Sequence, residues 1–344
     1  MSPEVFLRLT DVDGTHGWGA AAPKWYITGE TQESVAAVLR DRLLPWLLQQ
    51  RRLSLETLSD GLDRAVRGNW AAKAAIDVAV HDLLGRQLGI PVYEMLGGIR
   101  DGIDLGGLEV VFLSEGQSSI EEVARSAVER GYRNLKLKAD SDVAATINRA
   151  AELRQGVGSR IHLTVDANQA WSAQATLLAG PAMVDAGINE LEQPIAADAI
   201  DAMAMLRQEL PVPVTLDESV CSAREADEVM RARATDGIVL KVAKSGGIAP
   251  CRAIAESAEQ AGVYCVAGAT LQNAVLEAAT AHLYLATPNI RRHEVKLLIR
   301  DDVAEGPIIS GGQLSVPSEP GLGVEVDVTR LGPPVIAMSK RNKP

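Results

Sequence analysis

The chain has 344 residues, enough for one large domain with a smaller one beside it. With 47% hydrophobic and 23% charged residues its composition is that of a globular enzyme, and its apolar runs are too short to predict a membrane-spanning helix. The net charge of -11 disfavours nonspecific nucleic-acid binding but leaves an anionic small substrate open. Three scattered cysteines, and no basic segment followed by an apolar one at the N-terminus, predict a cytoplasmic protein without a disulfide framework or signal peptide.

The first hundred residues predict a small α+β unit. Strands are expected at Val5–Arg8 and Gly17–Gly19, on either side of a turn. Thr31 is a predicted N-cap for a helix that reaches about Gln49. A second helix is predicted at Ala71–Leu88, because Gly89 and a proline follow it.

From about residue 108 onward, short strands alternate with helical stretches. Strands alternating with helices indicate parallel βαβ units, and about eight units in 200 residues favour a (β/α) barrel over an open doubly wound sheet, which is the alternative. The predicted helices include Ile120–Arg130, Ser222–Arg233 and Ile248–Ala261. The predicted strands are Leu108–Leu113, Asn134–Lys138, Ile161–Asp166, Asn189–Glu192, Pro213–Asp217, Gly237–Val242, Val263–Ala267 and His293–Lys296.

Five charged residues lie at or near the carboxyl ends of successive predicted strands. They are separated by 28, 26, 25 and 24 residues, about one βα unit each. Barrel enzymes have their active sites at this end of the strands, so equivalent positions on neighbouring strands should converge. The five are Lys138, Asp166, Glu192, Asp217 and Lys241.

Side-chain alternation predicts which way these charges point. Lys136 and Lys138 share one face of their strand and two leucines share the other. Helices cover the outside of a barrel, so the lysines and carboxylates are expected inside, where unpaired charge is costly and needs a common purpose. Three carboxylates suit Mg²⁺, with Mn²⁺ as an alternative. The lysines would act as acid and base, and Lys136 could lower the pKa of Lys138 toward working pH or bind a substrate carboxylate.

Five short motifs surround these charged residues, in the order Leu135–Lys138, Val165–Gln169, Leu191–Pro194, Leu216–Ser219 and Leu240–Gly247. They resemble the motifs of the muconate cycloisomerase subgroup of the enolase superfamily, in the mandelate racemase/muconate lactonizing enzyme family. The resemblance extends to the segment Asn69–Gly98, similar to the family's junction between cap and barrel, and to Pro320–Val324, similar to its C-terminal return to the cap.

The resemblance implies a modified (β/α)₇β barrel with an α+β N-terminal capping domain that the C-terminal segment completes. The implied boundaries are 1–100 for the cap, 101–305 for the barrel and 306–344 for the return. It implies Mg²⁺ bound by Asp166, Glu192 and Asp217, a small carboxylate-bearing substrate between Lys138 and Lys241, and a homo-oligomer. Further supporting or substrate-binding residues implied by it are Lys136, Asn168, Glu218, Gln272 and Glu294.

The sequence departs from the family pattern at three places. Gln272 stands where the family usually has an acidic residue, so any charge-dependent role toward Lys241 or substrate is altered. Ala20 stands where a glutamate is frequent, and Met1 falls near the start of the family's second strand.

The stretch His293–Lys296 bears on the choice of reaction. It lacks the Asp-x-Asp pair typical of dipeptide epimerases, and Glu294 resembles the muconate-type enzymes. The sequence therefore favours cycloisomerisation of a muconate-like dicarboxylate. Dipeptide epimerisation or N-acyl amino acid racemisation is the alternative, and dehydration, a Schiff-base lyase and a non-catalytic family member are more distant ones.

Overall fold

The computed structural model describes residues 4–100, 103–104, 108–111, 120–268, 272–294, 303–310, 313–316 and 318–340. Its N-terminal part is a hairpin followed by helices, as the sequence predicts. Strands β1 and β2 are antiparallel, and Thr31 caps the first helix through a capping box with Ser34. The elements are β1 (Val5–Thr10), β2 (His16–Ala21), α1 (Gln32–Val38), a π-helical turn (Leu39–Leu43), α2 (Leu44–Gln49), α3 (Leu55–Ala65), α4 (Trp70–Leu88) and α5 (Val92–Met95).

A barrel sheet follows the short strand β3 (Ile103–Asp104). Eight parallel strands lie in consecutive order, which is the order of a barrel and excludes the doubly wound alternative, whose strand order reverses at a switch point. The elements are β4 (Leu108–Val111), α6 (Ile120–Glu129), β5 (Asn134–Lys138), α7 (Val143–Val157), β6 (His162–Asp166), α8 (Ala173–Asp185), β7 (Glu190–Glu192), α9 (Ile200–Glu209), β8 (Val214–Leu216), α10 (Ala223–Arg231), β9 (Gly237–Leu240), α11 (Val242–Ser245), α12 (Ile248–Gln260), β10 (Tyr264–Ala267), α13 (Ala274–Ala286) and β11 (Ile290–His293).

The predicted strands agree with the observed ones except for the last strand of the barrel. The inner strands match within two residues, and β5 coincides with its prediction. The last strand was predicted three residues too late, at His293–Lys296, because two arginines, Arg291 and Arg292, disguise its apolar pattern. Phe112, Leu113, Val295 and Lys296 lie outside the described residues.

Helix α4 joins the cap, the barrel and the C-terminal segment. Most of its residues are buried, and its acidic side chains accept hydrogen bonds from backbone amides of other parts of the chain. Asp77 Oδ1 accepts from Ile248 N (2.5 Å) at the start of α12. Asp82 accepts from Trp18 N (2.7 Å) in the cap and from Leu322 N (2.7 Å) in the C-terminal segment. Buried carboxylates thus satisfy backbone amides at the start of a helix, within a strand of the hairpin and in the C-terminal segment.

The C-terminal segment adds small sheets around this junction. The strand at Gln313–Ser315 pairs with Ile308–Ser310 and with β3, the strand at Ala304–Glu305 pairs with Glu325–Val326, and Pro91 forms a bridge with Gly321. No helix in the described ranges has both the length and the apolar character needed to cross a bilayer. The domain boundaries remain a prediction. The elements are β12 (Ala304–Glu305), β13 (Ile308–Ser310), β14 (Gln313–Ser315), β15 (Glu325–Val326) and α14 (Val328–Leu331).

Candidate active site

The charged residues predicted from the strand phase come together at the carboxyl end of the barrel. Lys138, Asp166 and Glu192 end β5, β6 and β7 in direct register. Asp217 and Lys241 directly follow β8 and β9. The three carboxylates are at most 1% exposed, so their charges must be balanced by neighbouring groups.

A lysine contacts one oxygen of each carboxylate. Lys138 Nζ pairs with Asp166 Oδ2 and Lys241 Nζ with Asp217 Oδ2. Lys136 Nζ lies 2.7 Å from Glu192 Oε2 and also contacts Glu294 Oε1. The predicted inward orientation of the lysines therefore holds.

The three carboxyl groups have different pKa values because their surroundings differ. Burial alone would raise the pKa of Asp166, but Lys138 and Lys136 outweigh it and lower that pKa. In the same way burial opposes ionisation of Asp217, and Lys241 and Lys244 hold its pKa well below the usual range. The pKa of Glu192 is raised well above the usual range by burial, with Asp166 adding to the effect.

The effect of Lys136 on the pKa of Lys138 stays a prediction. Lys136 itself lies among carboxylates. Burial does favour the neutral amine, but Glu192, Glu294 and Asp166 outweigh it and raise the pKa of Lys136 well above its usual value. The pKa of Lys241 is likewise raised, since Asp217 and Glu192 outweigh burial. The carboxylates therefore stabilise the ammonium forms of Lys136 and Lys241.

The donor set fits a hard divalent cation. No residue of the described ranges donates a hydrogen bond to Glu192 Oε1, which is buried. As the side chains stand, no group of three or more His, Cys, Asp or Glu in those ranges has a metal-binding arrangement, because lysines occupy the other carboxylate oxygens. Glu192 therefore has a buried carboxylate oxygen without a donor, and burial raises the pKa of this carboxyl group. A bound Mg²⁺ would supply the missing partner and stabilise the ionised form.

Two buried residues inside the quoted motifs hold the metal-ligand turn in place, and the sequence analysis gave neither a role. Gln193 Oε1 accepts from Asp217 N (2.9 Å) and Ser219 N (3.2 Å). Lys244 Nζ donates to the carbonyls of Asp217 and Val220 and lies 3.1 Å from Asp217 Oδ1. Their positions within the motifs could have indicated a role at the site, but the sequence does not predict which groups they bind.

The remaining predicted site residues divide into two groups. Asn168 accepts a hydrogen bond from Lys138 and donates one to Glu218, and Glu294 contacts Lys136. Gln272 instead donates from Nε2 to Glu277 Oε2 (3.0 Å) and to Thr280 (3.4 Å), both on α13. An acid at position 272 would place a second carboxylate against Glu277, which explains the neutral residue there.

Ala20 also has a physical explanation. It is fully buried in the main apolar core, beside Gly19, whose Cα lies against the backbone of α4. A glutamate at position 20 would need a partner for its charge in this core.

Two family models match nearly the whole chain. Residues 2–97 match the mandelate racemase/muconate lactonizing enzyme N-terminal domain, and residues 119–330 match the enolase C-terminal domain-like family. The chain therefore belongs to the mandelate racemase/muconate lactonizing enzyme family of the enolase superfamily. Enzymes of this family generally use Mg²⁺.

Similar proteins include epimerases, racemases and cycloisomerases. The L-Ala-D/L-Glu epimerase of Bacillus subtilis is 34% identical, over 93% of this chain and 88% of that protein. The crystal structure of the N-succinyl Arg/Lys racemase of Bacillus cereus has a TM-score of 0.90 at 30% identity, over 96% of this chain and 89% of that one. Muconate cycloisomerase 1 of Rhodococcus opacus is 30% identical, over 95% and 89%. All are isomerases, and so is this chain.

Proposed function

We propose that this isomerase is a Mg²⁺-dependent racemase or epimerase that moves the α-proton of an amino-acid derivative. The placement of two lysines carries the proposal. Lys138 ends β5 and Lys241 follows β9, which are four positions apart in the eight-stranded barrel order and so lie on opposite sides of it. A substrate between them would meet one amine on each face.

The carboxylates come from the strands between the two lysines. Asp166, Glu192 and Asp217 lie on or directly after β6, β7 and β8, and would hold the metal on one side of the barrel. When bound, Mg²⁺ supplies Lewis-acid stabilisation of the substrate carboxylate oxygen that gains charge. Lys136, between Glu192 and Glu294, keeps two of the surrounding acids compensated.

The two lysines then exchange roles as base and acid. One lysine, as the neutral amine, takes the α-proton from one face and becomes an ammonium. The opposite ammonium gives its proton to the other face and becomes an amine, so charge and protons balance and the configuration inverts. The reverse reaction uses the same two groups in exchanged roles.

This proposal prefers racemisation or epimerisation to cycloisomerisation, whereas the sequence favoured cycloisomerisation. Lactonisation needs only one proton donor, whereas the structure provides two lysines that are each paired with a buried aspartate. The epimerase and the racemase are also more similar in sequence than the muconate cycloisomerase, at 34% and 32% against 30%. A cytoplasmic location and a homo-oligomeric state remain predictions.

Cycloisomerisation of a muconate-like dicarboxylate is the second candidate. The stretch from His293 lacks the Asp-x-Asp pair of dipeptide epimerases, and Glu294 is instead bound to Lys136. The similarity of this chain to the muconate cycloisomerase of Rhodococcus opacus also supports this candidate.

Deuterium incorporation distinguishes the two candidates. The protein is incubated with Mg²⁺ in D₂O with L-Ala-L-Glu, N-succinyl-L-arginine, N-succinyl-L-lysine or cis,cis-muconate, and products are analysed by mass spectrometry. We expect deuterium at an amino-acid α-carbon, and none after EDTA treatment. Deuterium in a lactone alone would instead establish cycloisomerisation and contradict our first choice.

A further inference from the structure

A hydrogen-bonded chain of three side chains crosses the mouth of the barrel from Lys138. Lys138 Nζ donates to Asn168 Oδ1 (2.8 Å), and Asn168 Nδ2 donates to Glu218 Oε1 (3.0 Å). The three residues follow or end β5, β6 and β8, so the chain passes beside the proposed metal ligands. Both ends of the Asn168 amide are thus engaged within the protein.

Asn168 is held in a costly backbone conformation. Its φ is +41°, in the left-handed region that non-glycine residues seldom adopt, and its amide nitrogen donates to Asp166 Oδ1 (3.0 Å). This conformation lets Asn168, the second residue after β6, contact both Lys138 and Glu218. Local strain that joins two site residues indicates a positional requirement.

Glu218 lies where folding alone gives little reason for an acid. Its side chain is 8% exposed, and in the described part of the chain nothing donates a hydrogen bond to its Oε2. Burial raises its pKa, and the neighbouring Asp217 and Asp166 raise it further, against the charge of Lys241 and the hydrogen bond from Asn168, which lower it. Asn168 donates to its Oε1, which makes Glu218 the anchor of the chain.

Lys241, on the opposite side, is supported differently. Its side chain is 7% exposed, against 22% for Lys138, and it packs beside Gly268, where an added Cβ would lie 3.1 Å from Lys241 Cε. Its hydrogen-bond partner is Asp217. Each lysine is thus ion-paired with an aspartate, Lys138 with Asp166 and Lys241 with Asp217. Close packing further restricts Lys241, whereas Lys138, more exposed on a flexible side chain, depends on its hydrogen bonds to Asp166 and Asn168 for its direction.

We propose that Glu218 is a positioning residue that acts through Asn168 to orient Lys138 Nζ, and so governs proton transfer on one face of the substrate only. This inference rests on the proposed racemase or epimerase function. Its distinctive consequence is asymmetry, since a merely structural role for Glu218 would affect both faces alike.

The test compares the two epimers of a substrate that the wild-type protein exchanges. Rates of α-deuterium incorporation are measured in D₂O with Mg²⁺ for the L and D forms separately, and Lys138→Ala and Lys241→Ala assign one lysine to each form. We expect Glu218→Ala to slow the Lys138-dependent form by about 10- to 100-fold, the cost of a misplaced reacting group, and to leave the other form nearly unchanged. Glu218→Gln keeps an oxygen acceptor for Asn168 and should restore most of the rate. Equal slowing of both forms, or of neither, would overturn the inference.

Glu225→Ala is the matched control. Glu225 holds the same loop through Cys221 N (2.8 Å) and Ser222 Oγ (3.0 Å), but contacts neither lysine. It should change both exchange rates equally or not at all.

A second measurement is independent of the reaction. Limited acetylation with acetic anhydride, followed by peptide mass spectrometry, gives the reactivity of Lys138 relative to Lys241. Glu218→Ala should change the labelling rate of Lys138 and not that of Lys241, and an unchanged ratio would overturn the inference even if the wild-type protein exchanged no substrate. Absence of exchange in the wild type would count against the proposed function alone.

Discussion

Glu190 and Glu192 lie two residues apart on the same face of β7, and both are at most 2% exposed. Glu190 faces the amino end of the barrel, where its carboxylate accepts hydrogen bonds from Arg292 (2.6 and 2.7 Å) and from Tyr264 Oη (2.8 Å). Burial would raise its pKa, but His162 and Arg292 lower it to about 2. The pKa of Glu192 is instead raised well above the usual range.

The contrast separates a structural ion cluster from a functional one. At the amino end a single acid is surrounded by donors, so its charge is stable once the barrel has formed. At the carboxyl end three acids crowd together and Glu192 Oε1 receives no hydrogen bond from the described residues. An arrangement that only another cation would complete is a feature of a binding site, since folding alone would favour fewer buried acids.

The largest expected effect comes from removing a lysine of the carboxyl-end cluster. Lys241→Ala should lower α-proton exchange by about 10²- to 10⁴-fold, because a general acid–base group contributes that much. Exchange is followed by mass spectrometry, and circular dichroism checks the fold. Lys73→Ala is the control, since Lys73 is also buried and ion-paired (2.6 Å to Asp63) but lies in the cap, and it should retain the wild-type rate.

Glu190→Gln should break the amino-end cluster without touching the chemistry. The pKa of Glu190 is about 2 in the folded protein against 4.5 unperturbed, so the neutral side chain should cost about 3 kcal/mol of unfolding free energy at pH 7. Urea denaturation measures this loss, and calorimetry should give an unchanged Mg²⁺ affinity. A loss well below 1 kcal/mol would contradict the interpretation of the amino-end cluster as a structural one.

Glu192→Gln should have the opposite signature. Without metal, the variant should be no less stable than the wild type at pH 7, because an acid with a raised pKa is removed. Mg²⁺ should no longer raise its melting temperature, whereas it should raise that of the wild type. Melting with Mg²⁺ and with EDTA tests both points. If the metal-free variant lost as much stability as Glu190→Gln, the carboxyl-end cluster would be a structural one like the amino-end cluster, and the distinction between the two would be wrong.

The smallest effect is a pH slope of at most about 1.4 kcal/mol per pH unit for each group. The pKa of Glu190 is lowered, so its contribution is present above about pH 4.5 and is lost as pH falls toward 2. The pKa of Glu192 is raised, so its protonated form stabilises the metal-free protein at low pH and that contribution is lost as pH rises above 4.5. Urea midpoints measured across pH should show that Glu190→Gln lacks the decrease in stability as pH falls. They should also show that Glu192→Gln lacks the decrease in stability as pH rises.

Much of the site follows from short-range sequence pattern. Alternation along β5 correctly predicts that Lys136 and Lys138 point inward, because side-chain direction in a strand depends only on residue parity. The regular spacing of strand ends predicts that Asp166, Glu192 and Asp217 converge, because each βα unit returns the chain to the same end of the barrel. The last strand shows the limit, since Arg292 has an inward partner, Glu190, that no local pattern reveals.

The sequence by itself determined the barrel, the inward faces of its strands and the group of lysines and carboxylates at their carboxyl ends. Only the tertiary structure decided which charge meets which: Lys136 lies between Glu192 and Glu294, Glu190 is satisfied by Arg292, and Gln272 binds Glu277. The sign of each pKa shift depends on these partners, as the opposite shifts of Glu190 and Glu192 show. The physical reason is that electrostatic energy depends on distances in space between groups far apart in the chain, whereas strand direction and periodicity depend on neighbours along it.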